Sequence, residues 1–234
     1  MLETILKDGF EALSLPLDGQ ALCRYRTYYE YLEETNKVMN LTAISGEEDV
    51  ARLHFLDCAA IATHLELGGK SLIDVGTGAG FPGLALKIAC PDISLTLLDS
   101  LDKRVNFLKS CCGKLGFEDV RCIHARAEEA PAEMRESFDF AASRAVARLN
   151  LLCELCLPFV KVGGYFIAMK GPDCSQELEE AKKGIAVLGG KVEKQIDCTI
   201  PGTEVTHSLI LIKKLRSTPA RYPRRWAQIK KQPL

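Results

Sequence analysis

Glycines recur at every second position after an acid that ends a short apolar run. The segment reads Leu72-Ile73-Asp74-Val75-Gly76-Thr77-Gly78-Ala79-Gly80. The apolar run predicts a buried strand, and the glycines let the backbone turn and approach a ligand closely. The spacing differs from the Gly-x-Gly-x-x-Gly of dinucleotide-binding proteins, and no Lys-Ser or Lys-Thr follows as in a P-loop. An acid here suits a cationic ligand, and S-adenosylmethionine (SAM), with its ammonium and sulfonium groups, carries that charge.

A second acid, Asp99, ends the next predicted strand. It lies about twenty residues beyond the glycine loop, where an acid typically accepts hydrogen bonds from ribose hydroxyls. The alternative is a helix N-cap, because Ser100-Leu101-Asp102 opens a predicted helix. The neighbouring glycine loop favours the ribose role. Asp74, Gly78 and Asp99 are therefore predicted to bind the cofactor.

The composition indicates one large α/β domain with an extension. The chain has 234 residues, 47% of them hydrophobic, and a formal net charge of −1. No apolar run reaches the roughly eighteen residues of a membrane span, and no basic segment opens the N-terminus. We therefore expect a cytoplasmic protein without a membrane segment.

The cysteines predict free thiols rather than a metal site. There are ten, and only Cys153 and Cys156 have the CxxC spacing, without a second pair. A zinc site needs four ligands, and few histidines lie nearby in sequence. Buried thiols in a reducing cytosol are the better interpretation, and no metal is expected.

Charge is distributed unevenly along the chain. Residues 1–66 hold twelve acids and five Lys/Arg, whereas residues 205–234 hold eight Lys/Arg and no acid. Tyr222 and Trp226 lie among these basic residues, and three prolines are expected to prevent a regular helix. The tail, residues 216–234, is either an arm that binds RNA phosphates or a solubilising terminus that covers a sheet edge.

Residues 1–67 are predicted to form a helical N-terminal extension. Helices are expected at 2–13, 18–38 and 47–65, with Asp18 as an N-cap. The tyrosines of the second helix predict core packing.

Strands and helices alternate over residues 68–215, as in a doubly wound parallel sheet. Strands are expected at 71–75, 94–98, 120–124, 138–142, 164–169, 191–198 and 207–213. Helices are expected at 81–89, 101–115, 126–134, 148–157 and 175–188. The predicted fold class is α/β: a seven-stranded, mostly parallel, Rossmann-like sheet of the class I SAM-dependent methyltransferase type, with an antiparallel last strand.

Several motifs, taken together and in order, resemble the bacterial ribosomal RNA small subunit methyltransferase G family, also called glucose-inhibited division protein B. They are Asn40-Leu41-Thr42-Ala43-Ile44, Arg52-Leu53-His54-Phe55-Leu56-Asp57, the glycine loop through Gly83, Leu98-Asp99-Ser100, Lys103-Arg104, Ala127-Glu128, Ser143-Arg144-Ala145 and Lys170-Gly171. The resemblance covers nearly the whole chain. It departs at Cys58, where we expect a serine.

The resemblance implies a SAM-dependent methyltransferase that modifies N7 of one guanine in 16S rRNA, position 527 in the usual rRNA numbering. The RNA is free, in a partly assembled particle or in the intact small (30S) subunit, and the sequence leaves these alternatives open. By matching motif to motif, Gly76, Phe81, Ala127, Glu128 and Arg144 would contact SAM. Glu128 is expected to meet the adenine, and the alternative is an acid in the first turn of a helix.

Arg144 and Lys170 are the candidates for the catalytic side of the site. They follow the fourth and fifth predicted strands, at the sheet edge where ligands bind, and either can engage guanine O6 or a phosphate. The alternative for Lys170 is a solvated loop lysine. Guanine N7 has a free lone pair, so the chemistry requires alignment rather than a base or a cysteine nucleophile. His54 and Asp57 are predicted to form a packed, hydrogen-bonded pair, and Asn40 to be a turn residue.

Three other functions stay open from the sequence. A nicotinamide-dependent oxidoreductase would need the other glycine spacing. A ribosome-assembly factor could bind SAM and transfer nothing. A methyltransferase acting on another RNA or a small molecule is the third, and the basic tail disfavours a small molecule. We expect a monomer.

Overall fold

A computed structural model describes residues 1–144 and 146–234 of the chain. Seven strands form one sheet: β1 Ser71–Val75, β2 Ser94–Asp99, β3 Arg121–His124, β4 Phe138–Arg144, β5 Val160–Lys170, β6 Gly190–Thr199 and β7 Thr206–Lys214. Nine α-helices are described: α1 Leu2–Ala12, α2 Gly19–Met39, α3 Glu47–Val50, α4 Asp57–Ala59, α5 Gly83–Ala89, α6 Asp102–Leu115, α7 Leu149–Cys156, α8 Ser175–Val187 and α9 Trp226–Lys231.

The sheet has the order β3-β2-β1-β4-β5-β7-β6. Strands β1 to β5 pair in parallel, whereas β7 is antiparallel to both β5 and β6. The parallel strands thus bring their carboxyl ends to one edge, and the order reverses between β1 and β4, where ligands bind in such folds. The predicted architecture, including the antiparallel last strand, is confirmed.

The region 126–134 is not the helix that the sequence predicted. It forms two short 3-10 turns, Ala127–Glu129 and Ala132–Met134. Pro131 lies between them, and the residue before a proline is kept out of the helical conformation. Arg144 and Lys170, expected just past their strands, are instead the last residues of β4 and β5.

The predicted helix 47–65 is a run of four different helical segments. Between α3 and α4, Ala51–Leu56 is π-helical. After α4, Ala60–Thr63 is a 3-10 helix. A π-helical segment often marks a functional site, and this one carries His54. Asp18 caps α2 as predicted by accepting from the Ala21 amide at 2.7 Å. Asn40 ends α2 in the left-handed conformation and is the predicted turn residue.

The N-terminal helices share one hydrophobic core with the sheet. The side chains of Tyr25 and Tyr28 on α2 are fully buried, as core packing predicts. The Tyr28 hydroxyl donates to the Ala79 carbonyl at 2.5 Å, and that of Tyr25 to the Ala85 carbonyl at 2.9 Å. Helix α2 therefore supports the glycine loop from behind.

The tail is packed against the domain and contains a helix, contrary to the sequence expectation. The prolines precede α9 and follow it, so none interrupts it. Glu154 on α7, 1% exposed, accepts from the Arg224 backbone amide at 2.8 Å and from its Nη2 at 2.6 Å. Arg135 donates to the carbonyls of Thr218 and Tyr222 at 2.6 and 2.7 Å.

Two observations concern the membrane segment and the metal site that the sequence did not predict. Within the two described ranges, no helix is long and apolar enough to cross a membrane. Over the same residues, His, Cys, Asp and Glu do not gather in threes with metal-binding geometry. Cys153 and Cys156 both lie on α7 and are buried in the core, and burial raises the pKa of each thiol.

Replacing Arg224 by alanine is expected to lower the free energy of unfolding by about 2–3 kcal/mol, because it leaves a buried Glu154 carboxylate with only a backbone donor. The neighbouring Arg225→Ala, at an exposed position, should change it by no more than about 0.5 kcal/mol. Urea unfolding of both variants makes the comparison. Equal effects would show that the tail is not docked through this pair.

Candidate active site

Asp74, at the end of β1, holds the glycine loop in place. Its Oδ2 accepts from the Thr77 hydroxyl and from the Gly83 amide, both at 2.7 Å. The amides of Gly76 and Thr77 donate to the Leu98 carbonyl at 2.8 and 3.2 Å, which ties the loop to the end of β2. The Asp74 carboxylate, which can only accept when ionised, thus fixes one hydroxyl and one amide of the loop.

Asp74 lies beneath the loop rather than on a cavity wall. The residue is fully buried, and burial raises the pKa of its carboxyl to about 6. Among the described residues its Oδ1 has no hydrogen-bond partner. An acceptor left without a donor in the interior is unfavourable, so a positive charge above the loop would be attracted to it. This fits a cofactor with an ammonium and a sulfonium group.

Two of the loop glycines are required by the local geometry. Gly76 has φ +71°, and a Cβ there would lie 2.7 Å from Val146 Cγ2. Gly78 has φ +60°, and apart from its two chain neighbours no residue that the structure describes has an atom within 4 Å of where its Cβ would be. The space in front of Gly78 is therefore open to a ligand.

Asp99 has a local structural role and also faces the site. Its Oδ2 accepts from the Gly78 amide and its Oδ1 from the Leu101 amide, both at 2.9 Å. Arg104 Nη1 lies 3.7 Å from Oδ2. Asp99 is not the N-cap that the sequence offered as the alternative, because the N-cap of α6 is Leu101 and no side chain among the described residues caps it. Its carboxylate instead holds the turn before α6 and borders both cavities, and the ribose role stays a prediction.

Two adjoining cavities form a trough across the loop. One, of about 260 Å³, is lined by Ala127 and Glu128, and the other, of about 350 Å³, by Gly78, Phe81 and Arg144. Their shared wall consists of Gly76, Asp99, Ser100 and Val146. The structure thus brings together all the predicted cofactor-binding residues except Asp74, which lies below them.

Arg144 joins the strand end to the π-helical segment. Its Nη1 donates to the Leu53 carbonyl and to Asp57 Oδ2, each at 3.1 Å, and its Nη2 donates to His54 Nδ1 at 2.7 Å. The guanidinium also lies over the Phe81 ring, 4.9 Å from its centroid. Arg144 is therefore held rigidly at the cavity wall.

His54 is neutral in this arrangement. An arginine can only donate, so His54 Nδ1 accepts from Arg144, and Nε2 carries the proton and donates to the Thr42 hydroxyl at 2.9 Å. Burial, together with the nearby Arg144 charge, lowers the pKa of His54 to about 3. Its ring stacks on Phe81 with the centroids 4.2 Å apart.

The predicted His54–Asp57 hydrogen bond does not form, because both side chains are turned toward Arg144 instead. Asp57 Oδ1 accepts from His207 Nδ1 at 2.9 Å, while Oδ2 accepts from Arg144. The hydrogen bond to Asp57 raises the pKa of His207 above its ordinary value. His54 and Asp57 are thus linked through Arg144.

A third cavity, of about 500 Å³, lies on the other side of Arg144. Arg144, His54 and Thr42 line both this cavity and the 350 Å³ one. Lys170 is also on its wall, where its Nζ donates to the Ala147 carbonyl at 3.0 Å and pairs with Glu177 at 2.6 Å. Lys170 is thus an ion-paired wall residue rather than a solvated loop lysine.

Sequence reasoning missed several wall residues. They are Thr42, Ser100, Val146, His207 and Trp226. Thr42 and Ser100 lie in the motifs of the resemblance, which was the only signal for them. Ala145, in the Ser143-Arg144-Ala145 motif, lies outside the described residues.

Comparisons with known proteins agree with this geometry. A family model described as rRNA small subunit methyltransferase G matches residues 22–205. The chain belongs to this family. Ribosomal RNA small subunit methyltransferase G of Alkaliphilus metalliredigens (strain QYMF) is 50% identical over 98% of each chain, and that of Clostridium botulinum (strain Loch Maree / Type A3) is 47% identical over 98% of each chain. A SAM-dependent methyltransferase from Aquifex aeolicus shares the fold, with a TM-score of 0.50 and 18% identity over 67% of this chain and 89% of that one.

The predicted family and fold class are confirmed, and with them a methyltransferase that uses SAM. The family name gives small-subunit ribosomal RNA as the class of substrate. The individual cofactor contacts remain predictions.

Replacing Gly78 by alanine is expected to weaken SAM binding by about tenfold or more, because the new Cβ enters the open trough. Gly116→Ala is the matched control, since Gly116 has φ +70° and equally open surroundings at the end of α6. Both variants should lose similar stability from left-handed strain. Isothermal calorimetry with SAM separates them, and equal SAM affinities would place the cofactor elsewhere.

The pH dependence of stability tests the buried Asp74. Its pKa in the folded chain is about 6, above the ordinary 3.8, so the folded state holds the proton more tightly than the unfolded state. Raising the pH from about 4 to about 6 should therefore cost the native protein on the order of 2–3 kcal/mol relative to Asp74→Asn. A wild-type-minus-variant difference that does not change with pH would contradict this.

Proposed function

We propose that this protein transfers a methyl group from SAM to N7 of a guanine in 16S rRNA, at the position numbered 527. The observation that carries the proposal is that the cofactor trough and the 500 Å³ cavity meet at Arg144. Family membership supports the substrate class. The 500 Å³ cavity has room for a nucleobase and is the proposed guanine site.

The proposed cofactor contacts are Gly76, Gly78, Phe81, Asp99, Ala127, Glu128 and Arg144, with Asp74 acting through the loop. When bound, SAM supplies a methyl group on a positively charged sulfur. The carboxylates of Asp99 and Glu128 would accept hydrogen bonds from its polar groups, whereas the amides of Gly76, Thr77 and Gly78 already donate within the protein. Asp74 would attract its positive charge from below.

The residues around the guanine site fit a reaction that needs no base. His54 is neutral, with one ring nitrogen accepting from Arg144 and the other donating to Thr42. Buried Cys58, near Arg144, has a thiol whose pKa burial raises, so it is not an activated nucleophile. What the site offers instead is a fixed cation, and Arg144 would orient the guanine through donors aimed at O6.

Exposed basic residues would contact the phosphates of the RNA. In the tail, Arg224 is occupied by Glu154, so the exposed cations without a carboxylate partner among the described residues are Arg216, Arg221, Arg225, Lys230 and Lys231. The tail is thus part of the folded surface and not a free arm. A ribosomal substrate supports a cytoplasmic location, and the protein would act there as a monomer.

Arg144→Ala is expected to reduce single-turnover methyl transfer from labelled SAM to small-subunit rRNA by about a hundredfold or more, because it removes a fixed cation from the reacting site. Arg148→Ala, at a 54% exposed arginine paired with Glu180, is the control and should stay near the wild-type rate. Mapping the modified base completes the test. A methyl on a cytosine carbon or a ribose oxygen, or a covalent protein–RNA adduct, would overturn the proposed function.

A further inference from the structure

Trp226 lines the 260 Å³ cavity together with Ala127, Glu128 and Leu155. It is the first residue of α9 and the only tryptophan of the chain. The family model matches residues 22–205, so Trp226 lies outside the matched range. We propose that the Trp226 indole is a further cofactor-binding residue that stacks on the adenine of SAM, so that the tail closes the cofactor site. This inference rests on the proposed function.

The position of Trp226 is fixed from both sides along the chain. Two residues before it, Arg224 makes its paired contacts with buried Glu154, with Nε at 2.8 Å and Nη2 at 2.6 Å. Three residues after it, Ile229 is fully buried in the second hydrophobic core. Glu154 precedes Leu155, which lines the same cavity. The tail and the cavity wall are therefore anchored to one helix, α7.

The cavity has the surface that a purine requires. Its apolar wall residues are Val75, Leu98, Ala125, Ala127, Val146 and Leu155. Its polar side chains are those of Asp99 and Ser100 around the end of β2 and of Arg126 and Glu128 after β3. A flat ring between apolar walls, with acceptors at its edge, is the arrangement in which adenine binds proteins.

Trp226 differs from the other large apolar residues of the tail. Tyr222 is 6% exposed and Ile229 is fully buried, so these two provide the packing that docks the segment. Trp226 is only partly buried and borders the cavity. An indole offers a large, rigid aromatic face for stacking on a base. A purine in the cavity would cover the part of the Trp226 indole that packing in the core leaves exposed.

Because the chain has one tryptophan, its fluorescence emission reports on the surroundings of Trp226. Titrating the wild-type protein with SAM, S-adenosylhomocysteine or adenosine should change Trp226 fluorescence, whereas methionine should not. Trp226→Ala should weaken S-adenosylhomocysteine binding by about tenfold in calorimetry, and Trp226→Phe, which keeps an aromatic face, by no more than about threefold. Gln228→Ala, at an exposed position on the same helix, is the control and should bind as wild type.

The outcomes separate this inference from the proposed function. If wild-type protein binds S-adenosylhomocysteine while Trp226 emission stays constant and Trp226→Ala binds with unchanged affinity, the inference is wrong and the proposed function stands. If wild-type protein binds neither SAM nor S-adenosylhomocysteine, both are wrong. Thermal melting checks the variants. If Trp226→Ala does not fold, the wild-type emission titration and the Trp226→Phe affinity decide the question.

Discussion

The hydrogen bonds of Arg144 join the two halves of the site. A cation at the end of β4 reaches the π-helical segment through the Leu53 carbonyl and His54, and the start of α4 through Asp57. Asp57 also binds His207 on β7, so one hydrogen-bonded network joins three parts of the chain. The cofactor trough and the 500 Å³ cavity share this residue as a wall. A buried cation with charged and neutral partners is costly to leave unpaired, which is why the surrounding side chains turn toward it.

A second constraint is the burial of a charge beneath the glycine loop. Asp74 accepts two hydrogen bonds and has one oxygen without a partner among the described residues. Helix α2 closes the loop from behind through Tyr28, so the N-terminal helices are part of the site's support. The loop conformation is thus fixed before any ligand binds. Preorganisation of this kind reduces the ordering that binding would otherwise require.

Local patterns predicted the sheet well, because apolar runs, glycine breaks and alternating helices are properties of short segments. The prediction was less accurate for features that depend on contacts between residues far apart in sequence. The His54–Asp57 pair was wrong because Arg144, about ninety positions away in sequence, takes both partners. The role of the tail stayed open in the sequence because the ion pair that docks it, Glu154 with Arg224, joins residues far apart along the chain. Trp226 was missed because it lies in no recognised motif. The predicted helix over 126–134 did not form because of Pro131.

The most direct test of the account is mass mapping of 16S rRNA from a strain that lacks this gene, beside rRNA from its parent and from a complemented strain. The account predicts that one 7-methylguanosine, at position 527, is missing in the deletion strain and returns on complementation. Complementation with the Arg144→Ala form should not restore it. An unchanged 7-methylguanosine at that position, or the loss of a different modification, would contradict the account.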